Sequence, residues 1–175
     1  MKKIFALSLV LIFAMNINAM AQMPPYATYK DSVDGGVIYN GRITFDDLNK
    51  ELSFTWLNVV HEYKPSENVI DFLQTYLKPY TMVVFMGTWC DDSHYLIPRF
   101  ERVLQLINYP SSNLTMYGVD RAKTTKDGDE KKYGITLVPT IILFKDGKEV
   151  GRITETVKKT IEEDLAAIIS YPPAH

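Results

Sequence analysis

The stretch "YTMVVFMGTWCDDSHYLIPRFERVLQLIN", residues 80–108, decides how the rest of the chain is read. Thr81 to Met86 is an unbroken apolar run of strand length, which fits a strand covered on both faces. Beyond Gly87, Leu96, Phe100, Val103, Leu104 and Ile107 recur at helical spacing, so a helix opens just after Trp89-Cys90. Cys90 is the only cysteine in the chain. A residue that ends a strand and opens a helix faces unpaired N–H groups and the positive end of the helix dipole. A thiolate is stabilised there. Asp91 and Asp92 suit the first helical turn but oppose a neighbouring thiolate. The two effects pull against each other, and moderate activation of Cys90 is expected.

Working outward, Ser66 is placed to cap a helix over 67–78 carrying Val69, Leu73, Tyr76 and Leu77 on one face, and Pro79 stops it. "NLTMYGVD" (113–120) reads as the next strand, Asp129 to Tyr133 as a short helix, and "TIILF" and "EVGRIT" as strands flanking Asp146-Gly147. Asp-Gly between such runs is a strong hairpin signal, because that turn needs positive φ. A final amphipathic helix runs over 157–170. Two strands joined through a helix pair in parallel by a right-handed crossover, and the hairpin adds antiparallel strands. The fold class is therefore α/β, with a mixed four- or five-stranded sheet between helices. Upstream, Pro24-Pro25 gives an irregular lead-in over 22–34. "GGVIYNGRIT" offers one short strand, and Thr44 with Asp46 and Asp47 opens a helix over 45–63. On that helix Trp56 reads as a core residue.

The first residues, "MKKIFALSLVLIFAMNINAMAQ", have the form of a secretory signal: Lys2-Lys3, an apolar Ile4–Met15 and a small-x-small Ala19-Met20-Ala21. Asn16 and Asn18 interrupt the apolar run before the roughly 20 residues needed to cross a bilayer. The expected organisation is a signal peptide at 1–21, an N-terminal extension at 22–65 and one domain at 66–175. The expected location is periplasmic or secreted, without a stable membrane anchor after cleavage. Cleavage changes the formal charge from −2 to 17 minus 21, or −4. A mildly acidic chain without basic clusters has no electrostatic footprint for nucleic acid. Secreted domains usually pair their cysteines, whereas a lone one is buried, paired between molecules or reactive.

The chain resembles the thioredoxin family over roughly 66–171. The resemblance is carried by the strand "MVVFMGTW", the pair Trp89-Cys90, a C-x-x-S motif ending at Ser93, Pro98 within the helix, and "YGITLVPTIILFKDGKEV" with Val138-Pro139-Thr140. It implies a three-layer α/β/α sandwich with Cys90 as nucleophile and Trp89 as an apolar wall. It also implies that Pro139 is cis, that the Val138 backbone and Thr140 lie on the substrate side, and that Pro98 kinks the helix without ending it. Two positions depart from the family pattern. Ser93 replaces the resolving cysteine, and Val84 stands where the family commonly has a buried acid that assists release. Ser93 either donates to a Cys90 thiolate or bonds to backbone in the first turn.

Two functions follow from these residues. In the first, Cys90 exchanges with disulfides of exported proteins or small thiols, and an external thiol resolves the mixed disulfide. In the second, the groove beside Trp89 and Pro139 binds partners without redox chemistry, and a thoroughly buried Cys90 would favour that reading. No cofactor is expected. No metal site is expected either, since Asp91, Asp92 and His94 project differently from one helical turn and no second Cys/His cluster exists. His94 reads as a surface residue.

Overall fold

A computed structural model describes residues 25–171. The expected signal peptide lies outside them. The elements in chain order are β1 (Tyr26–Lys30), β2 (Val37–Ile43), α1 (Phe45–Asn49), a 3-10 helix (Thr55–His61), α2 (Glu67–Tyr76), β3 (Thr81–Met86), α3 (Asp91–Leu106), a short 3-10 turn (Ser111–Asn113), β4 (Leu114–Gly118), α4 (Asp129–Lys132), β5 (Thr140–Lys145), β6 (Lys148–Thr154) and α5 (Ile161–Ser170). They form one mixed sheet in the order β1-β2-β4-β3-β5-β6. β3 and β4 run parallel around the α3 crossover, and every other neighbouring pair is antiparallel.

The sheet has six strands where four or five were expected. The addition is β1, which pairs with β2 from Tyr26↔Gly41 to Lys30↔Val37. The double proline ends before the strand begins, so it blocks nothing. The turn between β1 and β2 is built by aspartates. Asp31 accepts from the Val33 N–H at 3.0 Å, and Asp34 accepts from the Gly36 N–H at 2.8 Å, the local side-chain-to-backbone bonding that makes Asp a turn former.

The long helix expected over 45–63 is also corrected. Thr44 caps α1 through a reciprocal capping box with Asp47, as its position suggests. α1 then stops at Asn49. The Glu51 carboxylate accepts from both the N–H and the hydroxyl of Ser53, at 3.2 and 2.7 Å. Such side-chain bonds offer the backbone an alternative to the helix. The chain restarts as the 3-10 helix, which still delivers Phe54, Leu57 and Val60 to the interior.

Side chains of β3 alternate between two cores. Met82, Val84 and Met86 join the larger one with residues of α1, α2, α3 and α5, while Val83 and Phe85 join the smaller with Val119, Ile135 and Val138. The smaller core is covered by Tyr133 and Ile135, just beyond α4, and by Trp89. β2 and β4 approach closely enough that a Cβ on Gly118 would lie 2.2 Å from the Tyr39 carbonyl oxygen. At the far end of the sheet, Asp146 and Gly147 have φ of 51° and 76°, the double positive φ expected of an Asp-Gly hairpin.

Candidate active site

β3 ends at Met86, and the turn Gly87–Cys90 carries the chain into α3. The turn is closed by the Cys90 N–H donating to the Gly87 carbonyl at 3.1 Å. Cys90 is the N-cap of α3, with extended backbone (φ −102°, ψ 122°), and its carbonyl accepts from the His94 N–H at 2.9 Å. Its side chain caps nothing and forms no disulfide. The residue is half-buried, and its thiol lies 3.3 Å from the Val138 carbonyl oxygen. A carbonyl only accepts, so the S–H donates. The Val138–Pro139 bond is cis. Two segments 48 residues apart in sequence therefore meet at one sulfur.

Trp89 lies beside this pair. Its Nε1–H donates to the Val119 carbonyl at 2.9 Å. Its indole folds back so closely over Gly87 that a Cβ there would meet the ring at 2.7 Å. The Arg121 guanidinium sits 5.1 Å from the Trp89 ring centroid, within cation–π range. Arg121 is in turn gripped by the β1–β2 turn, with Nε 2.6 Å from Asp31 and Nη2 2.8 Å from Asp34. Burial by itself would raise the Asp31 carboxyl. The Val33 N–H and the Arg121 guanidinium outweigh it, and the group is held below the usual carboxylate range.

Ser93 is fully buried, and its hydroxyl accepts from the Gly87 N–H at 3.2 Å. Of the two roles open to it, the observed one is the backbone bond. Among the described residues no hydrogen bond joins Ser93 to Cys90. It braces the turn that presents Cys90. Thr140 is buried too, and its hydroxyl donates to the Leu137 carbonyl at 2.7 Å, closing the proline loop from inside. Val138 and Pro139 are buried, whereas Leu137 is exposed. Val84 is fully buried between Met116 and Ile141 in the sheet. α3 continues through a buried Pro98 without ending.

His94 is not the free surface residue its helix position suggests. Nε2 lies 2.8 Å from the Thr88 carbonyl oxygen, and the ring stacks on Trp56 at 4.5 Å between centroids, 17° from parallel. Thr88 is itself tied to β2: its hydroxyl donates to the Val37 carbonyl at 2.7 Å and accepts from the Tyr39 N–H at 3.3 Å. Trp56, read as core from its spacing, is only partly buried and forms part of the site's wall. Arg121, Asp31 and Trp56 went unnoticed as site residues because each lies more than 30 positions from Cys90, with no local motif.

Comparison with known proteins now has a geometry to meet. The family model described as Thioredoxin matches residues 64–169. The chain belongs to the thioredoxin family. Thioredoxin-1 of Saccharomyces cerevisiae is 28% identical over 86 residues, spanning 49% of this chain and 78% of that protein. The thioredoxin of Chlamydia caviae is 32% identical over 88 residues, spanning 50% and 78%. Among solved structures, the reduced Schistosoma mansoni thioredoxin pre-protein aligns over 63% of this chain and 95% of its own, at 21% identity and a TM-score of 0.38. The thioredoxin-like fold points to thiol–disulfide redox chemistry, with one cysteine available for it.

Proposed function

We propose that the protein carries out single-cysteine thiol–disulfide exchange through Cys90 in an exported compartment. The observation that carries this reading is a half-buried Cys90 at the opening of α3, its sulfur 3.3 Å from the carbonyl of the proline loop. A thiol kept only as a relic of a binding surface would be expected in the interior. Attack needs the thiolate, so the proton directed at Val138 must first leave to solvent. The thiolate then attacks one sulfur of a substrate disulfide. A Cys90–substrate disulfide forms, the original S–S bond breaks, and the other sulfur departs as thiolate with the bonding pair. Nothing is oxidised or reduced overall.

Ser93 supplies no second thiol, and Val84 supplies no carboxylate. The mixed disulfide therefore persists until an external thiolate attacks it, regenerating Cys90 and releasing the substrate as a new disulfide. The protein moves disulfides between partners and does not reduce them by itself. The test is to mix the mature protein with a disulfide-containing exported protein and follow adducts by intact mass. Adducts that require Cys90, survive without added thiol and vanish when glutathione is supplied are expected. No adduct at any disulfide concentration, with Cys90→Ser behaving as wild type, overturns the reading.

A further inference from the structure

Residues 25–61 lie outside the stretch matched by the family model, yet part of them walls a cleft beside Trp89, the neighbour of Cys90. The β1–β2 turn, the entry to the 3-10 helix, the Thr88-Trp89 turn and His94 enclose a cleft of about 220 Å³. Phe54, Trp56 and Trp89 give it aromatic surface, and Asp31 and Asp34 lie at its edge. Among the described residues no lysine or arginine lines it. Arg121, just behind, is already shared between the two aspartates, which leaves one negative charge in surplus.

His94 defines what the cleft lacks. The Thr88 carbonyl can only accept, so the His94 Nε2 at 2.8 Å carries the proton. Nδ1 faces Asp91 Oδ1 at 3.9 Å, and on a ring protonated at Nε2 alone it is an acceptor. That distance is too long for a hydrogen bond. Among the described residues no donor joins them. Two acceptors so spaced can both reach one N–H cation placed between them at about 2.9 Å from each. The stack on Trp56 and the bond to Thr88 hold the ring in that orientation.

We propose that this cleft receives a basic side chain, arginine or lysine, adjacent to the cysteine of a polypeptide partner. This rests on the exchange reading, and it names the partner's chemistry. The cationic head meets His94 Nδ1 on the cleft wall and the exposed Asp91 carboxylate just outside it, while the aliphatic stem lies against the indoles of Trp56 and Trp89, where aromatic faces also attract the charge. An acidic side chain would meet surplus negative charge. A neutral aromatic one would cover the apolar wall but gain nothing from His94 Nδ1 or from Asp91, which stays hydrated. The N-terminal segment thus becomes the element that selects among disulfides.

The test uses the mature protein and peptides identical except for Arg, Ala or Glu on either side of one cysteine, each capped as a mixed disulfide with 2-nitro-5-thiobenzoate. Attack of the Cys90 thiolate on the peptide sulfur breaks the aryl disulfide and releases the coloured aryl thiolate with its electron pair. The arginine peptide is expected to react about tenfold faster than the glutamate peptide at low salt, from one bridged ion contact and one aromatic contact. That ratio should fall toward one in Asp91→Asn and in Trp56→Leu. Equal rates for the two peptides, or a preference that survives both substitutions, overturn the proposal. If no peptide reacts, the exchange reading fails while the cleft stays testable: serine-for-cysteine peptides are titrated against tryptophan fluorescence. Tighter binding of the arginine peptide then supports the basic-residue site, and indistinguishable binding overturns it.

Discussion

Replacing Ser93 by cysteine returns a second thiol to the helix turn and measures what its absence does. Ser93 has no exposed surface, and its hydroxyl accepts one hydrogen bond from Gly87. Sulfur accepts poorly and is larger, so Ser93→Cys gives up about 1 kcal/mol of bonding and about another 1 kcal/mol to crowding. The reduced variant should melt about 4–8 °C below wild type. Residues 90 and 93 sit three apart at the opening of α3, and helix geometry sets such Cα atoms about 5 Å apart, a separation a disulfide spans. The second thiol should therefore attack a Cys90 mixed disulfide from inside, at an effective concentration of at least about 1 M. Against about 1 mM external thiol this shortens the adduct's lifetime roughly a thousandfold. The buried Val84 gives the incoming thiol no carboxylate, so the lower bound is the appropriate figure. The assay prepares the Cys90 adduct of a model peptide and follows its decay by mass at several glutathione concentrations. Wild-type decay should scale with glutathione, and variant decay should be independent of it, ending in an oxidised protein two hydrogens lighter. Equal adduct lifetimes in wild type and variant would refute the argument that a thiol at position 93 reaches Cys90.

Other substitutions probe the surroundings. Burial outweighs the bonds from Asn49 and Gln105 and the charge of His61, so the Glu101 carboxyl titrates above its ordinary range, and among the described residues Oε2 has no partner. The folded state then holds the proton more tightly than the unfolded one, and stability falls as pH rises past the unfolded carboxyl range. Glu101→Gln should raise the melting temperature at pH 7, with the gain shrinking towards pH 4, as followed by circular dichroism. Asp31 has the opposite sign. Its lowered carboxyl stabilises the fold above the unfolded range and loses that effect as pH falls through the folded one, so Asp31→Asn should destabilise at pH 7 and converge with wild type in acid. Gly118→Ala drives a methyl group into the Tyr39 carbonyl and should cost about 1–3 kcal/mol in a urea titration.

The features legible in the sequence were those with local signatures. β3 announced itself as an apolar run because both faces are covered, and the last hairpin by Asp146-Gly147. Thr44 with Asp47 marked a helix start that the capping box confirms. β1 was invisible because Tyr29 and its neighbours are largely exposed at the sheet edge and carry no alternation. The 45–63 helix failed because apolar spacing does not register a serine that turns the backbone towards Glu51. In the site, Cys90, Trp89 and the proline loop could be read from motifs. The Asp31–Arg121 and Trp56–His94 contacts join residues 90 and 38 positions apart, which only the folded sheet brings together.

The place of β2 has a practical consequence. It pairs with β4 from Gly41↔Gly118 to Ile43↔Met116, and Tyr39, Ile43, Leu48, Phe54 and Leu57 fill the same core as α3 and α5. A clone trimmed to residues 64–169 would make β4 the outermost strand, its ladder of N–H and C=O groups bare and a strip of apolar surface opened beneath it. Bare edges of that kind template strand addition between molecules. Such a fragment should precipitate or form sheet-linked aggregates, so the excised thioredoxin unit is no substitute for the longer chain in solution work.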